Sequence, residues 1–307
     1  MIANAILSLL PENVRVTAGD IRFEDRSLLT LGEQDMRKIR GARIGMIFQE
    51  PMTALNPLRT IGDQIGEMFR THTNLDRATV RTRVLSLLSD VPIAHPEEIE
   101  RAYPHELSGG QRQRAMIAMA LALEPAILVA DEPTTALDVT TQAQILALIR
   151  DLQARKGTSV LFVTHDFGVV AEIADRATVL QHGRVVEHGA RDQLLNHPSE
   201  SYTKELIAAV PSYLPPLSVQ AQILRLLANL RKAFGLSMIF ITHDLRVAAQ
   251  ICDRVAVMKD GEIVEHGATA KMFASPEHDY TRLLLRSIPG QRWVPQAAGS
   301  YLAATAG

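Results

Sequence analysis

Short apolar runs alternate with amphipathic stretches along most of the chain. Residues 14–24 alternate between apolar and polar side chains, which predicts strands around a turn at Gly19-Asp20. Residues 44–48 form a continuous apolar run, which predicts a short buried strand. From residue 62 to residue 90 the apolar side chains recur at helical spacing, so a helical insertion is predicted to follow that strand.

The same alternation continues to residue 187. Ser108 suits a helix N-cap, and its helix is predicted to reach Leu123, with Pro125 ending it. Residues 126–130 are apolar throughout and precede two acids, as in a strand buried on both faces. A helix, a strand, a helix and a hairpin are then predicted over residues 142–154, 159–164, 167–174 and 177–187, with the hairpin turn at His182-Gly183. Strands that alternate with helices predict an α/β fold with a largely parallel sheet.

Composition and charge exclude several classes of function. The chain has 307 residues, of which 47% are hydrophobic and 21% charged, as in ordinary globular proteins. A net charge of −2 gives no basic surface for nucleic acid, so we expect no nucleic-acid partner. The single cysteine, Cys252, excludes a disulfide framework and a cysteine-ligated metal site within one chain, and we interpret it as a small buried residue.

The sequence has no pattern of a secretory signal or a membrane span. The apolar start at residues 2–10 has no basic region before it and no small-residue cleavage site after it. The most apolar stretch, residues 115–130, contains Glu124 and Pro125. It is also shorter than the ~20 residues that span a bilayer. We therefore expect a cytoplasmic chain that reaches the membrane only through a partner.

Part of the sequence occurs twice. The motifs QAQIL, THD and EHG begin at residues 142, 164 and 187 and recur at residues 220, 242 and 265. The offset is 78 residues throughout (residue 165 to residue 243, for example), so no insertion separates the copies. Because so long a period occurs only twice, it indicates a partial domain duplication and not a solenoid.

The second copy has no counterpart of residues 1–138 and corresponds to the C-terminal third of a domain. A proline-rich segment with Pro211, Pro215 and Pro216 runs directly into it. The predicted parts are a domain at 1–210 with a helical subdomain at about 62–117, a linker at 211–217, a partial second domain at 218–289 and a tail at 290–307.

Two carboxylates end the apolar run at residues 126–130. Asp131 and Glu132 would lie at the carboxyl end of a parallel strand, where open α/β sheets bind their ligands. In nucleoside triphosphatases the first acid holds Mg²⁺ through water and the second polarises the attacking water. Acids that merely end a strand are the alternative interpretation of this segment alone.

Three other segments carry candidate chemistry. Ser108-Gly109-Gly110-Gln111 places two glycines at a predicted helix N-terminus, where free backbone N–H groups and the helix dipole favour a phosphate. Taken alone, it could be an N-cap with a flexible turn. His165 follows a predicted strand and could contact a γ-phosphate or the attacking water, although such a histidine is usually structural. Gln49, at the end of another strand, could sense the metal and the water, but by itself it is uninformative.

In this order the segments resemble the ATP-binding-cassette (ABC) family over nearly the whole chain. The resemblance implies Q-loop Gln49, signature residues Ser108, Gly109, Gly110 and Gln111, Walker B Asp131, catalytic Glu132, D-loop Asp138 and switch His165. The segments FQEPMTALNPLRTIGDQI, around Gln49, and NHPSESYT, at 196–203, are similar to the ATPases of dipeptide, oligopeptide and nickel importers. Some relatives of that group fuse two cassettes in one chain, which fits the repeat.

The resemblance also implies a fold, a cofactor and partners. The fold is an incomplete ABC nucleotide-binding fold, with a RecA-like parallel sheet and a helical subdomain, followed by a partial repeat of its C-terminal third. The implied cofactor is Mg²⁺ with ATP, held through Asp131 and Gln49 by way of ATP or water. The implied partners are transmembrane permease subunits and a second ATPase subunit or a second copy of the chain. The implied location is the inner face of the cell membrane.

The chain departs from the family pattern in two places. No G-x-x-x-x-G-K-[ST] loop (Walker A) occurs in its 307 residues. In the family that loop directly precedes a helix resembling residues 2–11, so we expect a chain truncated immediately after the loop. The second copy keeps only a switch His243 and has Pro216 at the D-loop aspartate position, which we interpret as an internal deletion in a tandem two-cassette protein.

Two functions stay open. The first is an ATPase subunit that couples ATP binding and hydrolysis to import of peptides or related solutes. Without the loop only Mg²⁺ and weak dipoles meet the phosphate charge, so hydrolysis by this chain alone is not expected. The alternative is a non-catalytic chain that donates its signature motif to nucleotide held by a partner ATPase. DNA-repair and translation-factor relatives are disfavoured, because the chain has no long coiled-coil insertion or basic linker.

Overall fold

The computed structural model describes residues 1–134, 139–208, 237–242 and 245–288. The described residues divide into two compact units, the first made of 1–134 with 147–165 and the second made of 139–146, 166–208, 237–242 and 245–288. Asp138, His243, the predicted linker and the predicted tail lie outside the described residues. The predicted domain borders therefore stay predictions.

The first unit contains short strands and a group of helices. Its elements are α1 (Ile2–Ile6), β1 (Arg22–Phe23), β2 (Arg26–Ser27), α2 (Glu33–Ile39), β3 (Ile44–Ile47), α3 (Pro51–Ala54), α4 (Ile61–His72), α5 (Arg77–Asp90), α6 (Pro96–Arg101), α7 (Gly109–Ala120), β4 (Ile127–Asp131), α8 (Val139–Lys156) and β5 (Ser159–Val163). Residues 139–146 of α8 belong to the second unit.

A parallel sheet with the order β3-β4-β5 forms the centre of the first unit. Every residue of β3 is buried, as are the three central residues of β4. Burial on both faces explains why these segments are continuous apolar runs in the sequence. Ala3 and Leu7 of the N-terminal segment pack in a core cluster with Ile44 and Val129. The predicted parallel α/β sheet is confirmed.

Helices α4 and α5 confirm the helical insertion predicted over residues 62–90. Thr60 and Asp76 cap the two helices by accepting hydrogen bonds from the amides of residues 63 and 79. Helix α6 passes so close to α4 that a Cβ at Gly62 would lie 2.7 Å from the backbone oxygen of Glu100. Among the described residues, no helix is both long enough and apolar enough to cross a bilayer.

Two predicted boundaries are wrong. The first hairpin turns at Glu24 and Asp25, and not at Gly19-Asp20, because both carboxylate residues adopt the positive φ (47° and 61°) that a tight two-residue turn requires. Helix α7 ends at Ala120, and not at Leu123, because the chain must reverse before Pro125. Glu124 makes that reversal in the left-handed region, with φ 51°.

The second unit shows the duplication in its structure. Its further elements are α9 (Phe167–Ile173), β6 (Arg176–Gln181), β7 (Arg184–Ala190), α10 (Arg191–Asn196), α11 (Ser201–Ala208), α12 (Leu245–Ile251), β8 (Arg254–Lys259), β9 (Glu262–Ala268), α13 (Thr269–Ala274) and α14 (Asp279–Arg286). The last five elements repeat the bounds of the first five at the 78-residue offset, as the starts at 167 and 245 illustrate. The hairpin turn predicted at His182-Gly183 is confirmed, since both residues have positive φ.

A carboxylate in each hairpin of the second unit accepts hydrogen bonds from the residues just before the second helix that follows the hairpin. Glu187 in β7 accepts hydrogen bonds from the Ser199 amide (2.8 Å), the Ser199 hydroxyl (2.7 Å) and the Glu200 amide (3.3 Å). Burial raises the pKa of Glu187, but these donors and the buried Thr203 hydroxyl nearby outweigh it and lower that pKa from 4.5 to about 2. Glu265 in β9 accepts from the Glu277 and His278 amides in the same way.

Because the pKa of Glu187 is lowered on folding, its carboxylate stabilises the folded chain above its ordinary pKa. That contribution is lost as the pH falls from 4.5 towards about 2. We expect Glu187→Gln to lower the free energy of unfolding at pH 7 by about 2 kcal/mol. We also expect the variant to lose less stability than the parent over that acid range. Urea unfolding at a series of pH values measures both effects, with the exposed Glu205→Gln in α11 as the matched control.

Candidate functional site

Two carboxylates stand at the carboxyl end of β4, as predicted. Asp131 is the last residue of the strand and pairs in parallel with Val163 of β5. The Glu132 amide donates to the Val163 oxygen at 2.9 Å, so the ladder continues one residue beyond β4. Glu132 then adopts a φ of 47°, which is sterically unfavourable for a residue with a Cβ. Strained backbone of this kind is concentrated at functional sites.

The structure brings three of the predicted site residues together around Glu132. The amide Nε2 of Gln49, just after β3, donates to Glu132 Oε2 at 3.0 Å. The ring Nδ1 of His165, just after β5, lies 3.2 Å from Glu132 Oε1. The carboxyl ends of three neighbouring strands thus supply an amide, a carboxylate and an imidazole. The His165 side chain is 73% exposed and that of Glu132 is 25% exposed, so the group opens to solvent.

Within the described part of the chain, these contacts leave one atom of His165 and one of Gln49 for a ligand. Because an ionised carboxylate only accepts hydrogen bonds, the Nδ1 of His165 carries the proton in its contact with Glu132. The Nε2 of the same ring and the Oε1 of Gln49 then remain for a bound molecule. A carboxylate fixed on both oxygens is suited to orient a water molecule and to accept its proton as a general base.

The side chains of this site also determine how a metal ion can be held there. Among the described residues, no cluster of three or more histidine, cysteine, aspartate or glutamate side chains is arranged as a metal site. Mg²⁺ is commonly bound through only one or two protein carboxylates, while substrate phosphates and waters complete its shell. The Asp131 carboxylate and the Gln49 amide oxygen fit an ion that arrives with a phosphate ligand.

The N-terminus of α7 is capped in a way that leaves two amides open. The Ser108 hydroxyl accepts from the Gln111 amide at 3.3 Å, and the Ser108 amide donates to Gln111 Oε1 at 2.9 Å, which forms a capping box. The amides of Gly109 and Gly110 have no acceptor inside the helix. A Cβ at Gly109 would meet no atom within 4 Å of the described chain, so internal packing does not require a glycine there.

Gln113 links α7 to the loop that carries Glu132, and the sequence reasoning missed it. Its side chain is 1% exposed, and its Nε2 donates to the Pro133 oxygen at 2.5 Å. A signal was present in the sequence, because Gln113 lies three and four positions before Met116 and Ile117, on the same face of the helix. Both of those residues are fully buried.

We expect Gln113→Leu to lower the free energy of unfolding by about 1–3 kcal/mol. Leucine keeps most of the volume but leaves the buried Pro133 carbonyl without its donor. Chemical denaturation of the parent and the variant measures the loss, and Gln34→Leu, on an exposed position of α2, is the control. Equal losses in the two variants would contradict a specific role for the Gln113 contact.

The predicted D-loop Asp138 and the second-copy His243 lie outside the described residues, so their placement stays a prediction. Of the remaining predicted residues, Gln49, Glu132 and His165 are in contact, and Asp131 is next to them along β4. Ser108 to Gln111 lie at the start of α7, the helix whose Gln113 contacts the residue after Glu132.

Comparison with known proteins identifies two families within the chain. The family described as "ABC transporter" matches residues 3–135. The family described as "Oligopeptide/dipeptide transporter, C-terminal region" matches residues 186–233 and again residues 264–299. The two matches to the second family begin 78 residues apart (186 and 264), which is the offset of the repeat.

Individual relatives agree with these families. The chain is 54% identical over 217 residues to the peptidoglycan transport ATP-binding protein YejF of Agrobacterium fabrum (strain C58 / ATCC 33970), covering 70% of this chain and 40% of that protein. It is 50% identical over 210 residues to the dipeptide transport ATP-binding protein DppD of Bacillus subtilis (strain 168), covering 68% of this chain and 63% of that protein. The chain thus spans less than two thirds of these relatives.

A solved structure of an ABC transporter cassette also has a fold similar to that of this chain. The dimeric structure of MJ0796, a bacterial ABC transporter cassette, has a TM-score of 0.55 and is 31% identical to this chain. The match covers 62% of this chain and 79% of that one. The chain belongs to the ABC transporter ATP-binding family and carries the C-terminal region of its oligopeptide and dipeptide branch. Nucleotide binding is the property that defines this family.

Proposed function

We propose that this chain is an ATP-binding subunit of an ABC importer for peptides or related solutes, in which ATP binding and hydrolysis drive transport. One observation carries the proposal: Glu132 is held by Gln49 on one carboxylate oxygen and by His165 on the other, at the carboxyl end of the central strand. The names of the relatives, which include dipeptide and peptidoglycan transport, supply the solute class.

The roles of the residues follow from their positions. Glu132 orients the attacking water and accepts its proton, while Gln49 and His165 keep its carboxylate in place. Asp131 and Gln49 would hold Mg²⁺, which offsets the charge of the phosphates in enzymes of this kind. The open amides at the start of α7, with Ser108 and Gln111, bind phosphate oxygens through hydrogen bonds and the helix dipole. Asp138 would complete the nucleotide interface from the D-loop.

The assembly includes membrane subunits and a second ATPase subunit, either another copy of the chain or a related one. A permease supplies the route through the membrane, so this chain acts at the inner face of the cell membrane as a peripheral subunit. The dimeric state of the related MJ0796 cassette supports a pair of ATPase subunits.

The capped start of α7 favours a second candidate function. Its open amides and the free space at Gly109 suit a phosphate that belongs to another molecule, even though no G-x-x-x-x-G-K-[ST] loop occurs in these 307 residues. In this second function the chain donates Ser108 to Gln111 to nucleotide held by a partner ATPase and hydrolyses none itself.

Reconstitution tests both functions. The chain is combined in membrane vesicles with a permease and a loop-bearing ATPase partner, and ATP turnover is measured together with uptake of a labelled dipeptide. Under either function we expect the chain to raise the partner's turnover and to allow ATP-dependent uptake. Unchanged turnover and absent uptake after addition of the chain would contradict both.

A further inference from the structure

We propose that Gln113 is a positioning residue for Glu132, because its buried side-chain amide fixes the backbone from which the Glu132 carboxylate extends. Its hydrogen bond goes to the Pro133 oxygen, so Gln113 acts through the backbone and not on the reacting groups. This role rests on the proposed function, in which Glu132 is the general base. It adds the residue on which the direction of that base depends.

The backbone of Glu132 adopts a conformation that its own residue type disfavours. Its φ of 47° lies in the left-handed region, where the Cβ crowds the following carbonyl oxygen. Such a conformation persists only where the contacts around it hold it. Because rotation about φ changes the direction of the Cα–Cβ bond, relaxation of this residue would turn the carboxylate away from the amide of Gln49 and the ring of His165.

Two hydrogen bonds hold the chain on the two sides of Glu132. On the side of β4, the Glu132 amide donates to the Val163 oxygen at 2.9 Å. On the other side, the Pro133 oxygen accepts from Gln113 Nε2 at 2.5 Å. The proline ring also fixes the φ of Pro133, so an anchored Pro133 oxygen leaves the Glu132 backbone little freedom to rotate. Loss of the Gln113 amide would free one of the two sides.

Both groups in the bond between Gln113 and Pro133 are buried. Gln113 is 1% exposed, on the face of α7 that carries the fully buried Met116 and Ile117. Pro133 is buried as well. A buried carbonyl without a donor is costly, so in the absence of the Gln113 amide the Pro133 oxygen is expected to turn towards water or another donor. The Glu132 backbone would move with it.

A similar hydrogen bond at the amino end of β4 provides a matched control. Thr158 is 5% exposed, and its Oγ1 donates to the Pro125 oxygen at 3.0 Å. Beside it, the Ser159 amide donates to the Ala126 oxygen at 3.0 Å. Thr158→Val therefore removes the same kind of bond as Gln113→Met, from a buried side chain to a proline carbonyl, while both variants keep most of the side-chain volume. The two bonds differ in the end of β4 that they hold.

Hydrogen exchange tests the proposal without any enzymatic activity. The exchange rate of each backbone amide is measured by NMR on the 307-residue chain and on its Gln113→Met and Thr158→Val variants. We expect Gln113→Met to raise the exchange rate of the Glu132 amide about tenfold more than that of the Ser159 amide, as local loss of one buried hydrogen bond does. Thr158→Val should have the reverse effect. Equal acceleration of both amides by Gln113→Met would overturn the proposal, because Gln113 would then support the fold as a whole.

Steady-state kinetics test the consequence for turnover. The assembly contains two copies of this chain as its ATPase subunits, each preceded by a strand and a G-x-x-x-x-G-K-[ST] loop. We expect Gln113→Met to lower kcat by about 10- to 100-fold with KM for Mg²⁺-ATP unchanged, because the base is displaced while the phosphate contacts at the start of α7 remain. Thr158→Val should keep the kcat of the parent.

The two measurements distinguish failure of this role from failure of the proposed function. If the parent assembly hydrolyses ATP but the two variants have the same kcat, the proposed function stands and the positioning role of Gln113 is excluded. If the parent assembly hydrolyses no ATP, the proposed function fails, and the exchange rates of the Glu132 and Ser159 amides alone support or overturn the hold of Gln113 on the Glu132 backbone.

Discussion

In an assembly whose ATPase subunits are two copies of this chain, each preceded by a strand and a G-x-x-x-x-G-K-[ST] loop, replacing Glu132 with glutamine is expected to lower ATP turnover by about 100- to 10,000-fold, the contribution of a general base. Glutamine keeps the shape of the side chain and still accepts a hydrogen bond through one oxygen. It cannot take a proton from water, however. Because Gln49, His165 and the start of α7 are untouched, nucleotide binding should persist.

Turnover and nucleotide binding are measured on the same reconstituted preparation. The matched control is Glu12→Gln, an exposed carboxylate of the first unit, which should keep the parent's turnover. Glu132→Gln turnover equal to the parent's would exclude Glu132 as the base in this chain. If the partner's turnover then still required Ser108 to Gln111, the second candidate function would replace the first.

A negative charge at the start of α7 is expected to lower ATP turnover without lowering the stability of the folded chain. A glutamate at position 109 meets open space and lies at a helix N-terminus, where the dipole favours an anion by about 0.3–1 kcal/mol. The folded chain should therefore be as stable as the parent, or slightly more so. The same charge repels a phosphate, and we expect Gly109→Glu to lower ATP turnover by about 100-fold, as loss of a main phosphate-binding donor does.

Gly32 offers a matched control for that variant. It is the exposed N-cap residue of α2, and a Cβ there also meets no atom within 4 Å. Gly32→Glu should gain the same small stabilisation and keep its turnover. Thermal unfolding and ATP turnover of the two variants are measured side by side, which tests whether the start of α7 binds phosphate. Equal turnover in both would show that the start of α7 binds no phosphate.

Much of the central sheet could be predicted from the sequence, because its strands are buried on both faces. Continuous apolar runs at residues 44–48 and 126–130 and the strand beginning at residue 159 leave few alternatives in an α/β pattern. The acids at the carboxyl end of β4, the glutamine after β3 and the histidine after β5 are therefore expected to meet at one edge of the sheet. Their contact around Glu132 follows from parallel pairing in register.

Other features depend on contacts between residues far apart in the sequence, which a local sequence pattern does not indicate. The position of Gln113 on the face of Met116 and Ile117 indicates that it is buried, but the sequence does not show that it donates to the Pro133 oxygen. The pKa of Glu187 is lowered by the Thr203 hydroxyl and by donors of residues 199 and 200, all of which lie outside the local pattern of β7. The first hairpin turns at Glu24-Asp25, because these two residues adopt a positive φ. The turn was predicted at Gly19-Asp20 because glycine is the residue that most readily adopts such a φ.

We propose that residues 49, 131, 132 and 165 form the hydrolytic side of a nucleotide site that requires a phosphate-binding loop. Equilibrium titration with Mg²⁺-ATP tests it most directly, on the 307-residue chain and on the same chain preceded by a strand and a G-x-x-x-x-G-K-[ST] loop. We expect micromolar binding by the extended chain and much weaker binding by the 307-residue chain. Micromolar binding by the 307-residue chain, or no binding by either, would contradict it.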